Sequence, residues 1–260
     1  MKFSIIIINY NTFKYTSDCL NSIFEKLDSS DLEVIIVDNA SPDGSGERLK
    51  KVFQDRVKFI LNYDNLGFGK ANNIGAKIAS GKYLFFLNSD TLIDDVNLNF
   101  IDRFMMAHED IGILGLDLLL ENKKRQEYAF GDFLSLKNII KKESNIGEEH
   151  QDYFEVDWAS GAAIIVRKDR FNSIRGFDEN FFMYFEDMDI CRRIKKDVSR
   201  VLVAKKQSVI HFGGKSSRDS IKMNKDYYVS QDYYFKKFFG FLPFFVVKFL
   251  RFFYLLMKKQ

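Results

Sequence analysis

Apolar runs of four to six residues recur through the first 120 positions, and each breaks into polar residues rather than into a plain turn. Positions 4–8, 34–37, 57–61 and 83–87 read as four buried strands. Between them, 16–26 reads as a helix with Leu20, Ile23, Phe24 and Leu27 on one side, and 69–79 as a second. Strands alternating with helices predict an α/β fold with a parallel sheet covered on both faces. In such sheets ligands bind beyond the carboxyl ends of the strands. The polar endings Asn9 to Asn11, Asp38 to Asp43, Asn62 to Asn65 and Asn88 to Asp90 are therefore expected to converge on one crevice.

From 120 to 156 the pattern dissolves into polar sequence, read as an insertion or irregular lobe. Order returns at 158–166, a strand-like run holding Ser160, Gly161 and Ala162, followed by a helix over 169–175 with Gly176 as its cap. An aromatic loop at 177–185 precedes a helix from 186 to 196. Residues 201–212 form a long strand or strand pair, and 213–220 a Gly/Ser-rich loop. With no internal repeat, one compact domain at 1–230, in halves 1–120 and 121–230, plus a tail at 231–260, is the economical division.

Composition narrows the partners. The 260 residues carry a net charge of +3, too little for a basic field that wraps nucleic acid, so no nucleic-acid partner is expected. Cys19 and Cys191 show no CxxC spacing and read as free buried thiols in a reducing compartment. The apolar run at the N-terminus is too short for a signal-peptide core.

Chemistry-bearing residues stand at the strand ends. Asp90 follows the fourth strand, and His211 is the histidine set at the end of an apolar strand beside glycines. A carboxylate and an imidazole with diphosphate oxygens around them suit Mg²⁺ or Mn²⁺. Glu186, Asp187 and Asp189 crowd a helix start after the run Phe181 to Phe185, where an apolar wall can raise a carboxyl toward a useful general base. Lys215 and Arg218 are placed to clamp a diphosphate as their loop closes. Trp158 offers a face to a sugar ring, and the small residues Ser160, Gly161 and Ala162 let a ligand approach the backbone.

The ordered blocks IIIINYNT, IIVDNASPDGS, NLGFGKANNIG, YLFFLNSDT, WASGAAIIVRK, GFDENFFMYFEDMDICRR and VIHFGGKS closely resemble glycosyltransferase family 2, in its bacterial rhamnosyltransferase-like branch, over residues 4–217. The resemblance implies a GT-A fold: a single Rossmann-like domain with a mixed, mostly parallel central sheet, a nucleotide-binding half at 1–120 and an acceptor-binding half at 121–230. It implies an inverting transfer of a sugar, rhamnose being one candidate, from a dTDP-, UDP- or GDP-linked donor. Tyr10, with Asn11, would pack near the nucleobase, Asp38 would bond its ring nitrogen, and Asn73 would lie near the ribose or sugar. Asp90 matches the last acid of the family's Asp-x-Asp metal motif, whose first acid is here Asn88. His211 matches a histidine that helps hold the metal and diphosphate, and Asp187 the catalytic base. Glu186 is then a support or acceptor contact, alongside Trp158, Gly161 and Ala162.

The tail bears on where such an enzyme works. After Pro243, Lys248, Arg251, Lys258 and Lys259 fall on one side of a helix, opposite Val246, Phe249, Leu250, Phe253, Leu256 and Met257. This predicts a basic amphipathic helix over 238–260 on an anionic membrane, or one packed on the domain or on a second copy in a homodimer. With the resemblance, it implies a peripheral enzyme on the cytoplasmic face of a bacterial membrane that acts on a lipid-linked glycan in polysaccharide synthesis. Two rivals are a non-catalytic nucleotide-sugar or glycan binding protein and a sugar nucleotidyltransferase. The latter wants a Gly-rich phosphate loop after the first strand, where this chain has Asn-Tyr-Asn-Thr.

Overall fold

The computed structural model describes residues 1–28, 30–136, 149–196, 199–213 and 220–257. The first half alternates as expected: β1 (Phe3–Asn9), α1 (Phe13–Lys26), β2 (Leu32–Asp38), α2 (Ser45–Phe53), β3 (Lys58–Leu61), α3 (Phe68–Ile78), β4 (Tyr83–Asn88), β5 (Thr91–Asp95), α4 (Leu98–Ala107) and β6 (Ile111–Leu119). The second half holds β7 (Phe130–Gly131), β8 (Tyr153–Glu155), β9 (Trp158–Ala159), β10 (Ala163–Arg167), α5 (Lys168–Ser173), α6 (Glu186–Lys195), β11 (Arg200–His211), α7 (Ser220–Phe239) and α8 (Phe241–Met257). The main sheet runs β3-β2-β1-β4-β10-β6-β11-β5, with β8 added to β11. Strands β1 to β4 are parallel, while β10 is antiparallel to both of its neighbours.

Side-chain alternation splits the core into two layers. Phe3, Ile5 and Ile7 of β1 pack with Leu20 of α1, Leu49 of α2 and Ile101 of α4. Ile6 joins Ala71 of α3, Phe171 of α5 and Ile190 of α6 on the opposite face. Register then aligns the strand ends: Asn9 stands beside Asp38, and Ile8 beside Asn88. The polar endings thus form one rim, as the sequence pattern requires.

One boundary differs from expectation. The strand read over 158–166 breaks at Ser160 to Ala162, because β9 pairs with β7 in a separate two-stranded sheet while β10 enters the main one. Of the two readings for 201–212, β11 is one long strand, which slips register between Ala204 and Ser208 and so serves β6, β8 and β5. Helix α7 runs through residue 230.

At the opposite end of the sheet, buried Glu33 accepts from Ser4 Oγ (2.5 Å), Ser80 N (2.6 Å), Ser80 Oγ (2.7 Å) and Lys58 Nζ (2.7 Å). Burial alone would raise this carboxyl, but the ammonium and the hydroxyl and amide donors outweigh it and hold the group at about 2. A carboxyl depressed on folding adds stability above its ordinary range, and loses it as pH falls toward the folded value. Urea unfolding of wild type should therefore lose about 2 kcal/mol more between pH 6.5 and pH 3 than Glu33→Gln does. Equal losses would refute this account of Glu33.

Helices α7 and α8 meet at Gly240, which adopts φ 82°, a left-handed conformation easily reached only without a Cβ. Pro243 lies in the first turn of α8, where its missing N–H costs nothing. Lys248 and Arg251 both turn to Asp232 of α7, Lys248 at 3.9 Å. Arg251 is largely covered between the helices, whereas the Lys248 side chain stays half exposed, and around it the exposed surface of α8 is largely apolar, including Phe241, Leu242, Phe245, Phe249 and Phe253. Lys258 and Lys259 lie outside the described residues. Among the described residues no helix is long and apolar enough to cross a membrane.

Candidate active site

The rim at the strand ends is built from amides and carboxylates that lock one another. Asn9 Nδ2 donates to Asp38 Oδ1 (2.6 Å), Ser41 Oγ (3.1 Å) and Ser45 Oγ (2.8 Å). Asp38 also takes the Ser41 hydroxyl on Oδ1 (2.6 Å) and the Ser41 N–H on Oδ2 (3.0 Å). Buried Asp38 is thus a fixed wall of the turn, with lone-pair capacity on Oδ2 for a further donor. Tyr10 is half-buried beside it. Asn11 follows at φ 56°, with its N–H on Ser41 Oγ (3.0 Å) and its Oδ1 accepting from Asp43 N (3.3 Å). Asn39 joins the next loop, donating to Asn65 Oδ1 (2.8 Å) and accepting from Asn62 Nδ2 and Leu66 N (both 3.1 Å).

Asn73, expected near the ribose or sugar, bonds the aromatic loop. Its buried amide is occupied at both ends by Phe177, with Nδ2 donating to the carbonyl and Oδ1 accepting the N–H (both 2.9 Å). It pins the aromatic loop to α3, because a buried amide without partners would be costly there. Gly67 adds to that junction: a Cβ on it would stand 2.3 Å from the Phe182 carbonyl oxygen, and its φ is 80°.

Asp90 and His211 do meet. The β11–β5 pairing sets His211 against Thr91, and Phe212 N donates to the Asp90 carbonyl (3.0 Å). His211 Nε2 stands 3.4 Å from Asp90 Oδ1 and 3.3 Å from the Asn88 amide nitrogen, and both residues of the pair are under a tenth exposed. On the other side of the ring, Nδ1 lies 2.9 Å from Gln126 Oε1. A carbonyl oxygen only accepts, so Nδ1 carries the proton and Nε2 presents its lone pair toward Asp90.

This donor set fits a divalent cation. One carboxylate and one imidazole nitrogen whose tautomer is fixed from behind are the protein's share of a site completed by diphosphate oxygens and water. Among the described residues no third carboxylate, His or Cys joins them. Gln126 was invisible in the sequence, since it lies in the stretch from 120 to 156 where no pattern shows. Gln126→Leu should weaken Mn²⁺-dependent nucleotide binding by about 10-fold, the lower end for losing a partner behind a metal ligand. Calorimetry with and without Mn²⁺ checks it, and an unchanged metal dependence would remove Gln126 from the site.

The acids lie beyond the break between β9 and β10. Tyr184 (φ 69°) and Phe185 (φ 67°) are consecutive non-glycine residues in the left-handed region, a costly conformation held only by its surroundings. That turn starts α6 with Glu186 and Asp187 in its first turn, where the helix dipole favours carboxylates. Asp187 is partly exposed, taking Gly161 N on Oδ2 (3.2 Å) and Met188 N on Oδ1 (2.8 Å). A Cβ on Gly161 would stand 3.3 Å from the Phe68 ring and 3.5 Å from Asp187 Cβ, so the small residue permits this approach. Burial raises the Asp187 carboxyl above its ordinary range, partly countered by the Gly161 and Met188 N–H groups. Glu186 is 6% exposed, and its Oε2 has no hydrogen-bond partner. Burial first, then the charge of Asp187, pushes it well above the usual carboxyl range. Both carboxyls of this adjacent pair are thus raised, Glu186 by burial and by the charge of Asp187, and Asp187 by burial.

The two ends of the site are connected. The Ala162 carbonyl next to Gly161 accepts from Asn88 N (2.9 Å), and Asn88 faces His211. Trp158 is half-buried with Nε1 on the Asp132 carbonyl (3.1 Å), and Ala162 is buried in the core. Lys215 and Arg218 lie outside the described residues. Cys19 and Cys191 are free and buried, with burial pushing each thiol up to about 12.

Residues 4–115 match the model of glycosyl transferase family 2. The chain is 27% identical to the rhamnosyltransferase WbbL of Escherichia coli (strain K12) over 231 residues, covering 82% of this chain and 84% of that protein. It spans less than half the length of the curated relatives that it matches at 33% identity. The crystal structure of S. aureus TarS 1-349 in complex with UDP superposes with a TM-score of 0.63 at 21% identity, over 89% of this chain and 64% of that one. That of GalNAc-T7 with UDP, GalNAc and Mn²⁺ does so with a TM-score of 0.66 at 14% identity, over 89% and 48%. These likenesses show the GT-A fold.

Proposed function

We propose that this chain, whose residues 4–115 match glycosyl transferase family 2, is a member that moves a sugar, with inversion, from a nucleoside-diphosphate donor to a hydroxyl of a lipid-linked saccharide in bacterial polysaccharide synthesis. The observation that carries this reading is geometric: Asp187, held by the Gly161 and Met188 N–H groups beside buried Glu186, stands at one end of a rim whose other end brings Asp90 and His211 together. Inversion needs a base on the face opposite the leaving group, and Asp187 takes the acceptor's proton there. The donor lies along the rim formed by Tyr10, Asn11 and Asp38. Asp90 and His211 would hold Mg²⁺ or Mn²⁺, which supplies positive charge to a departing diphosphate. Rhamnose is the sugar favoured by the likeness to WbbL, and uridine the nucleoside favoured by the UDP-bound neighbours. Trp158, Gly161 and Ala162 border the acceptor side.

The apolar outer face of α8 supports docking at a membrane interface, where a lipid-linked acceptor resides. Arg251 is held by Asp232, while half-exposed Lys248 leaves one cation beside that apolar face. The test of the function is release of the nucleoside diphosphate (UDP, dTDP or GDP) from the corresponding sugar donors with a polyprenyl-diphosphate-linked saccharide present. Release that depends on both donor and acceptor supports the reading, and no release from any donor by folded protein overturns it.

A further inference from the structure

The site does not end at the catalytic domain's own loops. Helix α7, far along the chain, supplies several of the polar ties that hold the turn in front of Asp187. Lys237 Nζ pairs with Asp178 Oδ2 (2.6 Å) at the start of the aromatic loop and with fully buried Asp189, two residues beyond Asp187. One ammonium thus joins the two ends of the segment 178–189. Tyr233 donates its hydroxyl to Asp178 Oδ2 (2.9 Å) and sets its ring edge-on to Phe181 (4.8 Å between centroids). Ser230 Oγ donates to the Met183 carbonyl (2.7 Å), and Tyr234 packs on Phe185 (5.4 Å) while accepting from Arg192 Nη1 (2.9 Å).

Those contacts bracket the two left-handed residues, Tyr184 and Phe185, that aim Glu186 and Asp187. A strained turn of that kind persists only where neighbours over-determine it, and α7 holds it on one side as α3 holds the loop on the other. Asp178 reports the strength of the tie. Its burial would raise the carboxyl, but Lys237, Asn180 and Tyr233 outweigh burial and hold it at about 2.

Resting on the proposed function and deepening it, we propose that Lys237 is a positioning residue for Asp187, closing the loop that carries the base by joining Asp178 to Asp189. Lys237 acts through the backbone of 178–189 and touches neither donor nor acceptor. A misplacement of the base of about 1 Å costs on the order of 100-fold in rate. Loss of the tie is therefore expected to appear in kcat and not in donor affinity.

The experiment compares wild type, Lys237→Met, Lys237→Arg and Asp178→Asn by steady-state kinetics, nucleotide calorimetry and hydrogen exchange. Lys237→Met should lower kcat 10- to 100-fold, leave UDP affinity within about twofold and speed exchange at least tenfold in peptides over 178–189, with the sheet unchanged. Lys237→Arg, which keeps the charge, should recover kcat to within about threefold of wild type. Unchanged kcat and unchanged exchange in folded Lys237→Met overturn the proposal, as does loss of protection across the whole sheet. If Lys237→Met does not fold, Asp178→Asn decides by the same readings, with a kcat loss of about threefold or more expected and none overturning. A wild type inactive on every donor would defeat the proposed function instead, and exchange over 178–189 would still decide the role of Lys237.

Discussion

Asp187→Asn should lower kcat by about 10³-fold while leaving nucleotide affinity unchanged and the melting temperature equal to or above that of wild type. The amide keeps the shape of the carboxylate, and its oxygen can still accept from Gly161 or Met188, but it cannot take a proton. The stability sign follows from the raised carboxyl. A group whose folded-state value lies above its ordinary 3.8 favours the fold only while protonated, so ionised Asp187 costs stability at neutral pH. Removing it relieves that cost, the usual exchange between stability and activity at a catalytic group. The same shift sets the pH profile: activity rises with pH as Asp187 loses its proton, and that acid limb lies above pH 3.8. A binding protein without turnover would be indifferent to the change, so an unaltered rate would dismiss Asp187 as base. A lowered melting temperature would contradict the burial argument.

The parts of this molecule visible in the sequence are those set by local periodicity. Runs such as Ile5 to Ile7 and Tyr83 to Leu87 are buried on both faces, so they read as strands without knowing their neighbours. Strand β5 escaped because Thr91–Asp95 has three polar residues in five and exists by pairing with β11. The same holds for β7 and β8, two and three residues long, which form only against β9 and β11. Their segment carries Gln126, whose importance comes entirely from His211, 85 positions away. Asn73 sits in a block that resembles a donor-binding one, yet its amide is spent on Phe177, 104 positions on. Lys248 and Arg251 were correctly placed on one side of a helix. What that side faces is Asp232 of the preceding helix, a matter of how the chain turns at Gly240.

Asp90→Ala is expected to abolish the Mn²⁺-dependent part of nucleotide binding, a loss of several kcal/mol or on the order of 10²- to 10³-fold, while leaving the metal-free affinity as it was. The metal-free part rests on the locked rim of Asn9, Asp38 and Ser41. The backbone of residue 90 keeps its bond from Phe212 N in the variant, so β5 and β11 stay joined. His211→Ala should match it, and the double variant should lose no more than either alone, because a cation held by two groups is already released when one is gone. Calorimetry with UDP, dTDP and GDP, each with and without Mn²⁺, separates these terms and names the donor class at once. Metal dependence that survives in Asp90→Ala would move the cation away from the meeting point of β4, β5 and β11. It would then leave the short distance between Asp90 and His211 as a bond that closes the sheet edge.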